Sequence, residues 1–187
     1  MSTHAAAGRE GAEARFDRLY TDHGRALLAY ALRRTTNPQD AADALAETFL
    51  VAWRRLPDVP PGDAARLWLY GVARHVLANQ QRSERRRQRL AERLARELLA
   101  VPQSIQAPAP ETGSLRAALA RLEPADQEIL RLAGWEQLTP AQIATVLEIS
   151  PIAARSRLHR ARRRLQAALP RAPEPEDPSS SRLQEAL

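Results

Sequence analysis

The stretch "LTPAQIATVLEISPIAARSRL" leaves little freedom of fold. Thr139 stands where an N-cap is needed, Pro140 suits the first turn, and Gln142 follows three residues after the cap. That is the capping-box pattern, in which two otherwise orphaned amide donors are satisfied reciprocally. Ile143, Ala144 and Leu147 then supply one buried face. Only "EIS" separates this short helix from Ser150-Pro151, a second cap and start. A short capped helix, a three-residue turn and a longer helix together predict a helix-turn-helix.

The longer helix carries an unusual charge. Between Pro151 and Leu169 there are six arginines and no acid; the flanking acids are Glu148 and Glu174. On a 100° wheel Ala154, Leu158, Ala161 and Leu165 form a packing stripe. Ile152, Ser156, His159, Arg160 and Arg163 lie opposite it, and Arg155, Arg157, Arg162 and Arg164 flank it. In this motif the start of the second helix enters the major groove and its later turns run along the phosphates. The arrangement therefore predicts a nucleic-acid partner for the arginines. A solvated basic face is the plainer alternative. A membrane-surface helix fits poorly, because the apolar stripe lacks bulky aromatic anchors.

Composition narrows the rest. The chain has 187 residues, a net charge of +6 and no lysine, so every strong base is an arginine, the side chain suited to phosphate and guanine edges. Cysteine is absent, which excludes a disulfide framework, a zinc-thiolate site and a thiol nucleophile. The four histidines, His4, His23, His75 and His159, are scattered away from metal-ligand spacing. There is no Gly-rich phosphate loop and no Ser/His/Asp set, so the expectation is a protein that is not an enzyme and holds no metal or cofactor. The N-terminus has acids and no apolar core, unlike a signal peptide. No apolar run reaches the roughly 20 residues that span a bilayer. Expected localisation is cytoplasmic.

Good helix formers dominate, and period-2 strand patterns are missing. The expected fold is all-α: two small helical domains joined by a flexible linker, the second containing the helix-turn-helix. Residues 1–14 read as a disordered N-terminus and residues 15–100 as the first domain. The Pro-rich "VPQSIQAPAPETG" (101–113) reads as a linker, 114–170 as the second domain, and 171–187 as a disordered acidic tail. In the first domain Phe16, Leu19, Tyr20, His23, Leu27 and Tyr30 recur at helical spacing. Asn37-Pro38 starts a second helix with Ala42, Leu45, Phe49, Ala52 and Leu56 on one face. "LPDVPPGD" breaks it, and a long helix follows from about Asp63. That helix carries Trp68, Tyr70, Arg74, His75, Asn79 and Arg82, then Arg85 to Arg87, aromatics followed by a basic track as single-stranded nucleic acid requires. Trp68 could equally be a core residue.

Two further stretches, "ETFLVAWRRL" and "WLYGVAR", precede "SRLHRAR" in that order with a linker between. Together they resemble the two domains of the extracytoplasmic-function (ECF) sigma factors, over about residues 16–170. The resemblance implies a first domain that holds the clamp helices of core RNA polymerase and melts the −10 element. It implies a second that reads the −35 element and lies against the polymerase flap. Carried onto this chain, the polymerase-binding residues are Asp40, Asp43, Glu47, Trp53 and Arg54. The −10 residues are Trp68, Arg74, His75, Asn79, Arg82, Arg85 and Arg86. The −35 residues are Ile152, Ala153, Arg155, Ser156, Arg157, His159, Arg160 and Arg163. Promoter DNA and core polymerase are the implied partners, with an anti-sigma factor as a further one that could hold the protein near the membrane. The chain departs from the family pattern at Ala42, Ala46, Ala153 and Ala154. His75 stands where Asn is common, and Glu148 stands where Gly is usual. A helix-turn-helix repressor or activator that is not a polymerase subunit remains the rival reading. An adaptor that binds polymerase without promoter selectivity is a third.

Overall fold

The computed structural model describes the backbone at residues 2–99 and 115–169. The linker and tail expected at 101–113 and 171–187 lie outside the described residues, apart from the tail's neighbour Leu169. Seven α-helices occupy the described chain: α1 (Ser2–Leu32), α2 (Pro38–Arg54), α3 (Asp63–Leu99), α4 (Leu115–Ala120), α5 (Pro124–Gly134), α6 (Pro140–Leu147) and α7 (Pro151–Ala168). A 3-10 turn, Leu56–Asp58, joins α2 to the loop before α3. Among the described residues there is no strand.

Local chemistry sets these boundaries. Asn37 caps α2, its side chain accepting from the Gln39 amide, and Pro38 opens the first turn. The 3-10 turn and the prolines after it stop α2, and Gly62 at φ +61° turns the chain into α3. α6 has the full capping box between Thr139 and Gln142. Ser150 caps α7 through the Ala153 amide, 3.1 Å away. One expectation fails at the start of the chain. Residues 2–14, read above as disordered, are helical and continue into α1. The Ala-rich start favours helix, and the first described contacts tie it down. Ala12 packs on a small cluster of Leu19, Leu56, Val59 and Ala65, and the Arg15 guanidinium donates to the Val59 carbonyl.

α1, α2 and α3 form the first helical group. Between α1 and α2, Phe16 meets Phe49 and Trp53 edge-on, and the Tyr20 ring lies tilted against Phe49. The buried stripe of α2 is Ala41, Ala44, Thr48, Phe49 and Ala52; Ala42 is exposed and Leu45 half-buried. The face is thus rotated from the one read in the sequence, because alanines carry little hydrophobic signal. Thr48 is tolerated inside because its hydroxyl donates to the Ala44 carbonyl. In the second group, Ala154, Leu158 and Ala161 of α7 are buried, with Leu165 packed at the edge. Ile129 and Leu132 of α5 and Ile143 and Val146 of α6 complete that core. The two groups share one continuous cluster of buried residues, running from Leu27 and Tyr30 through Leu69 and Tyr70 to Ile143 and Leu158. The link is made mainly by α3 against α6.

Ile143 is fully buried whereas Thr139 acts only at the helix end. Ile143→Ala is expected to cost about 2–5 kcal/mol and Thr139→Ala about 1 kcal/mol. Urea unfolding followed by far-UV circular dichroism separates the two. Equal losses would mean that the second core does not rest on α6.

Candidate nucleic-acid interface

α7 presents its charge as the wheel requires. Arg155, Ser156, Arg157, His159, Arg160 and Arg163 are exposed, Ala153 is half-buried, and Ile152 at the leading end is 76% exposed. Arg164, on the flank, pairs with the buried carboxylate of Asp126 on α5, which raises its pKa. This contact fixes the far end of α7 to its own core.

The turn before α7 is conformationally demanding. Glu148 has φ 55° and ψ 44°, the left-handed region that glycine adopts most readily. Gln137, in the turn before α6, does the same at φ 54°. A Glu at such a position carries strain on the order of 1 kcal/mol or more.

On α3 the candidate residues fall on one long face. Trp68, His75, Asn79, Arg82 and Arg86 follow each other at helical steps. Trp68 is half-buried and packs on both core clusters, with the Arg55 guanidinium 5.7 Å from its ring centroid. Asn79 accepts from Arg82, and Arg85 and Arg86 are exposed. Arg74 and His75 are not free: both reach the helix-turn-helix. Arg74 Nε donates to the Val146 carbonyl at 3.2 Å, near the negative end of α6. His75 Nε2 lies 3.1 Å from Glu148 Oε1. Hydrogen bonding and charge from His75, with help from Arg74, hold the Glu148 carboxyl below its ordinary value of 4.5.

On α2, Asp40, Asp43, Glu47 and Arg54 are exposed, and Trp53 is 40% exposed beside Phe16. They form a charged surface with one aromatic edge, backed by the aromatic contacts to α1.

Sequence reading missed a second polar cluster, built between α1 and α5. Tyr30 donates to Glu128 at 3.0 Å. Arg34 donates to Glu128 at 2.9 Å and to Glu136 at 3.0 Å, while Arg33 donates to Glu136 at 2.9 Å. The Arg34 guanidinium also sits 3.5 Å from the centre of the Tyr30 ring. Burial, then the Glu128 charge, push the Tyr30 phenol above its ordinary value. Burial opposes the charge of Arg34, but Tyr30, Glu128 and Glu136 outweigh it and raise its pKa. Arg131, half-buried nearby, is lowered by burial and then by repulsion from Arg34. A cleft of about 620 Å³ lies alongside, lined by Arg34, Arg74, Arg85, Arg131 and Arg157 with Glu128 among them. No sequence signal marks this cluster, since its partners lie about a hundred residues apart.

Among the described residues no group of three His, Asp or Glu could hold a metal ion, and no helix is long and apolar enough to cross a membrane.

Comparison with known proteins decides the family. Residues 19–87 match the family model of sigma-70 region 2, and residues 112–165 that of sigma-70 region 4. The chain is 34% identical to the ECF RNA polymerase sigma factor SigL of Mycobacterium tuberculosis, over 87% of this chain and 93% of that one. It is 31% identical to the sigma factor CnrH of Cupriavidus metallidurans, over 90% and 92%. The chain belongs to the ECF sigma factors. Its fold is similar to CnrH solved with the cytosolic domain of CnrY, with a TM-score of 0.60 at 25% identity over 87% and 92% of the two chains. A sigma factor RpoE of Bartonella quintana, solved with the anti-sigma factor NepR, shares the fold at a TM-score of 0.58 and 23% identity, over 82% and 95%. As an ECF sigma factor, the protein binds core RNA polymerase and directs initiation at specific promoters through the −35 and −10 elements.

The Glu148 contact has a pH signature in this sigma factor. A depressed carboxyl pKa stabilises the folded contact above the ordinary value of 4.5, and that contribution is lost as pH falls through the depressed value. Carboxyl NMR titration should place Glu148 below 4.5 in the native protein and return it toward 4.5 in His75→Ala. A titration unchanged by His75→Ala would show that the contact is not made in solution.

Proposed function

We propose that three surfaces divide the sigma activity. Residues 15–100 act as the polymerase-binding and −10 domain, 114–170 act as the −35 domain, and 101–113 join them. Asp40, Asp43, Glu47, Trp53 and Arg54 meet the clamp helices of core polymerase. Their support is a charged exposed face of α2 with an aromatic edge, backed by a rigid aromatic set. Trp68, Arg74, His75, Asn79, Arg82, Arg85 and Arg86 take the melted −10 strand, stacking and tracking its backbone. The loop Pro57–Arg66 borders this face and shapes a pocket for a flipped base.

The −35 duplex goes to α7. The observation that carries this reading is the exposure of Ile152, Arg155, Ser156, Arg157, His159, Arg160 and Arg163 on one capped helix with no acid among them. Ala153, half-buried, lies at the edge of that surface. An apolar groove lined by Leu115, Leu119, Leu130, Ala133, Trp135 and Leu165 on the second group offers the polymerase flap a seat. The protein performs no catalysis itself; polymerase makes the bonds. The likeness to proteins solved with anti-sigma factors supports an anti-sigma partner in the cytoplasm for this chain too.

Position separates the arginines of α7. Arg155→Ala, near the groove-entering end, should cost about 1–3 kcal/mol on a cognate duplex and relax selectivity at one base pair. Arg163→Ala should weaken all sequences alike and lower the salt slope by about one unit. Equilibrium binding across a salt series reads both, with core polymerase present to select the promoter. Equal, sequence-blind losses would contradict this docking.

For the first group, Trp68→Ala with Arg74→Ala should leave polymerase binding intact and abolish strand opening. Run-off transcription and permanganate reactivity of unpaired thymines read this directly. If the double variant opens promoters normally, the −10 assignment fails.

A further inference from the structure

The cleft of about 620 Å³ between the two helical groups carries more positive charge on its walls than the chain neutralises. Arg34 enters it from the turn after α1, Arg74 and Arg85 from α3, Arg131 from α5 and Arg157 from α7. Against these five guanidinium groups stands the single carboxylate of Glu128. The apolar lining comes from Leu77, Ala78, Ile129 and Leu147.

The chain itself satisfies two of the five. Arg34 donates to Glu128 and Glu136, and Arg74 donates to the Val146 carbonyl. Glu128 is thereby used up, since it also accepts from Tyr30. Arg85, Arg131 and Arg157 have no carboxylate partner among the described residues. Arg85 and Arg157 are exposed and solvated, but Arg131 is half-buried. Its guanidinium donates to the neutral amide oxygen of Gln127, at 2.9 Å. Burial and the charge of Arg34 both disfavour its charged form, and Glu128 and Glu136 do not make up the difference. A half-buried cation beside another cation, with no acid of its own, is costly within the chain and is relieved by an anion from outside.

We infer that this cleft binds an oligophosphate anion, a chain of two or more phosphate groups, with Arg131 at its base and Arg85 and Arg157 at its rim. A guanidinium is a planar fork whose paired N–H groups match phosphate oxygens, so arginine is the side chain such a ligand calls for. One phosphate group carries at most about two negative charges and cannot neutralise three arginines, whereas a chain of them can. A DNA duplex does not enter. Its major groove alone is about 12 Å wide, and a cleft of about 620 Å³ has the size of a small-molecule site.

The site draws its arginines from both helical groups, so neither group holds it complete. Arg74, Arg85 and Arg157 also stand among the residues proposed above for promoter DNA. The anion site does not rest on that reading, and its binding is measured with neither DNA nor polymerase present.

The test is isothermal titration calorimetry of the full chain at physiological ionic strength, with inorganic triphosphate as the probe. The chain should bind it at a single site. Arg131→Gln should weaken binding about tenfold to a hundredfold, as the loss of a charge-assisted hydrogen bond does. Arg163→Gln removes the same charge from the outer face of α7, where salt screens it, and should change affinity by no more than about twofold. Far-UV circular dichroism verifies that each variant keeps its helices. Arg157→Gln, at an exposed position, should also weaken binding and keeps the test decisive if Arg131→Gln fails to fold. ATP measured beside inorganic triphosphate separates the sources of the ligand. Equal affinities mark a free phosphate chain; tighter binding of ATP marks a nucleotide whose base lies on the apolar lining. Failure of the unmodified chain to bind triphosphate overturns the site. So do equal losses from Arg131→Gln and Arg163→Gln, which would show a diffuse positive surface. Binding of a thymidine oligonucleotide without binding of triphosphate would give the cleft to single strands instead and overturn it too.

Discussion

The arrangement of the two helical groups turns on Arg34. Its guanidinium lies over the Tyr30 ring and between the carboxylates of Glu128 and Glu136, nearly out of contact with water. Burying one charge there is possible only because the opposite group supplies two. Tyr30 and Arg33 join the same carboxylates. Remove the acids and Arg33 and Arg34 of the first group would face Arg131 of the second with no carboxylate between them. The position of α6 against α3, and with it the Arg74 and His75 contacts, follows from that charge match.

Each group keeps its own core, with aromatic edges between α1 and α2 in one and the α7 stripe against α5 and α6 in the other. The reading surfaces stay charged and largely solvated. Where the two groups meet, charged side chains pair within the chain. The arginines of α7 lie outside this contact: Arg155, Arg160 and Arg163 are exposed, whereas Arg74 is half-buried and bonded to Val146, and His75, though exposed, is bonded to Glu148.

Much of the local structure was legible in the sequence, because caps and breakers act over three or four residues. Thr139, Gln142, Ser150-Pro151, Asn37-Pro38 and Pro57 all act as their chemistry predicts. The stripe Ala154, Leu158, Ala161 was also readable, since the period of an isolated helix needs no partner. Two readings failed for want of hydrophobic contrast. The α2 face was misplaced because its markers are alanines. The helix at the start of the chain has no local signal, because contacts such as Arg15 with Val59 join positions far apart in sequence. The contact between the two groups was invisible for the same reason. Nothing local to Arg33-Arg34 or to Glu128 and Glu136 says that they meet. His75 and Glu148 were each visible as departures from the family pattern, but their pairing appears only when α3 and α6 are placed together.

The two helical groups pack on one continuous core, and solution scattering measures that most directly. Small-angle X-ray scattering of the monomeric sigma factor should give a single-peaked pair-distance distribution. Its radius of gyration should be near the roughly 16 Å of a compact chain of this length, enlarged only by segments outside the helices. Scattering from a chain carrying Glu128→Gln with Glu136→Gln should instead show two separated lobes and a larger radius. A two-lobed distribution from the unmodified protein would contradict the account.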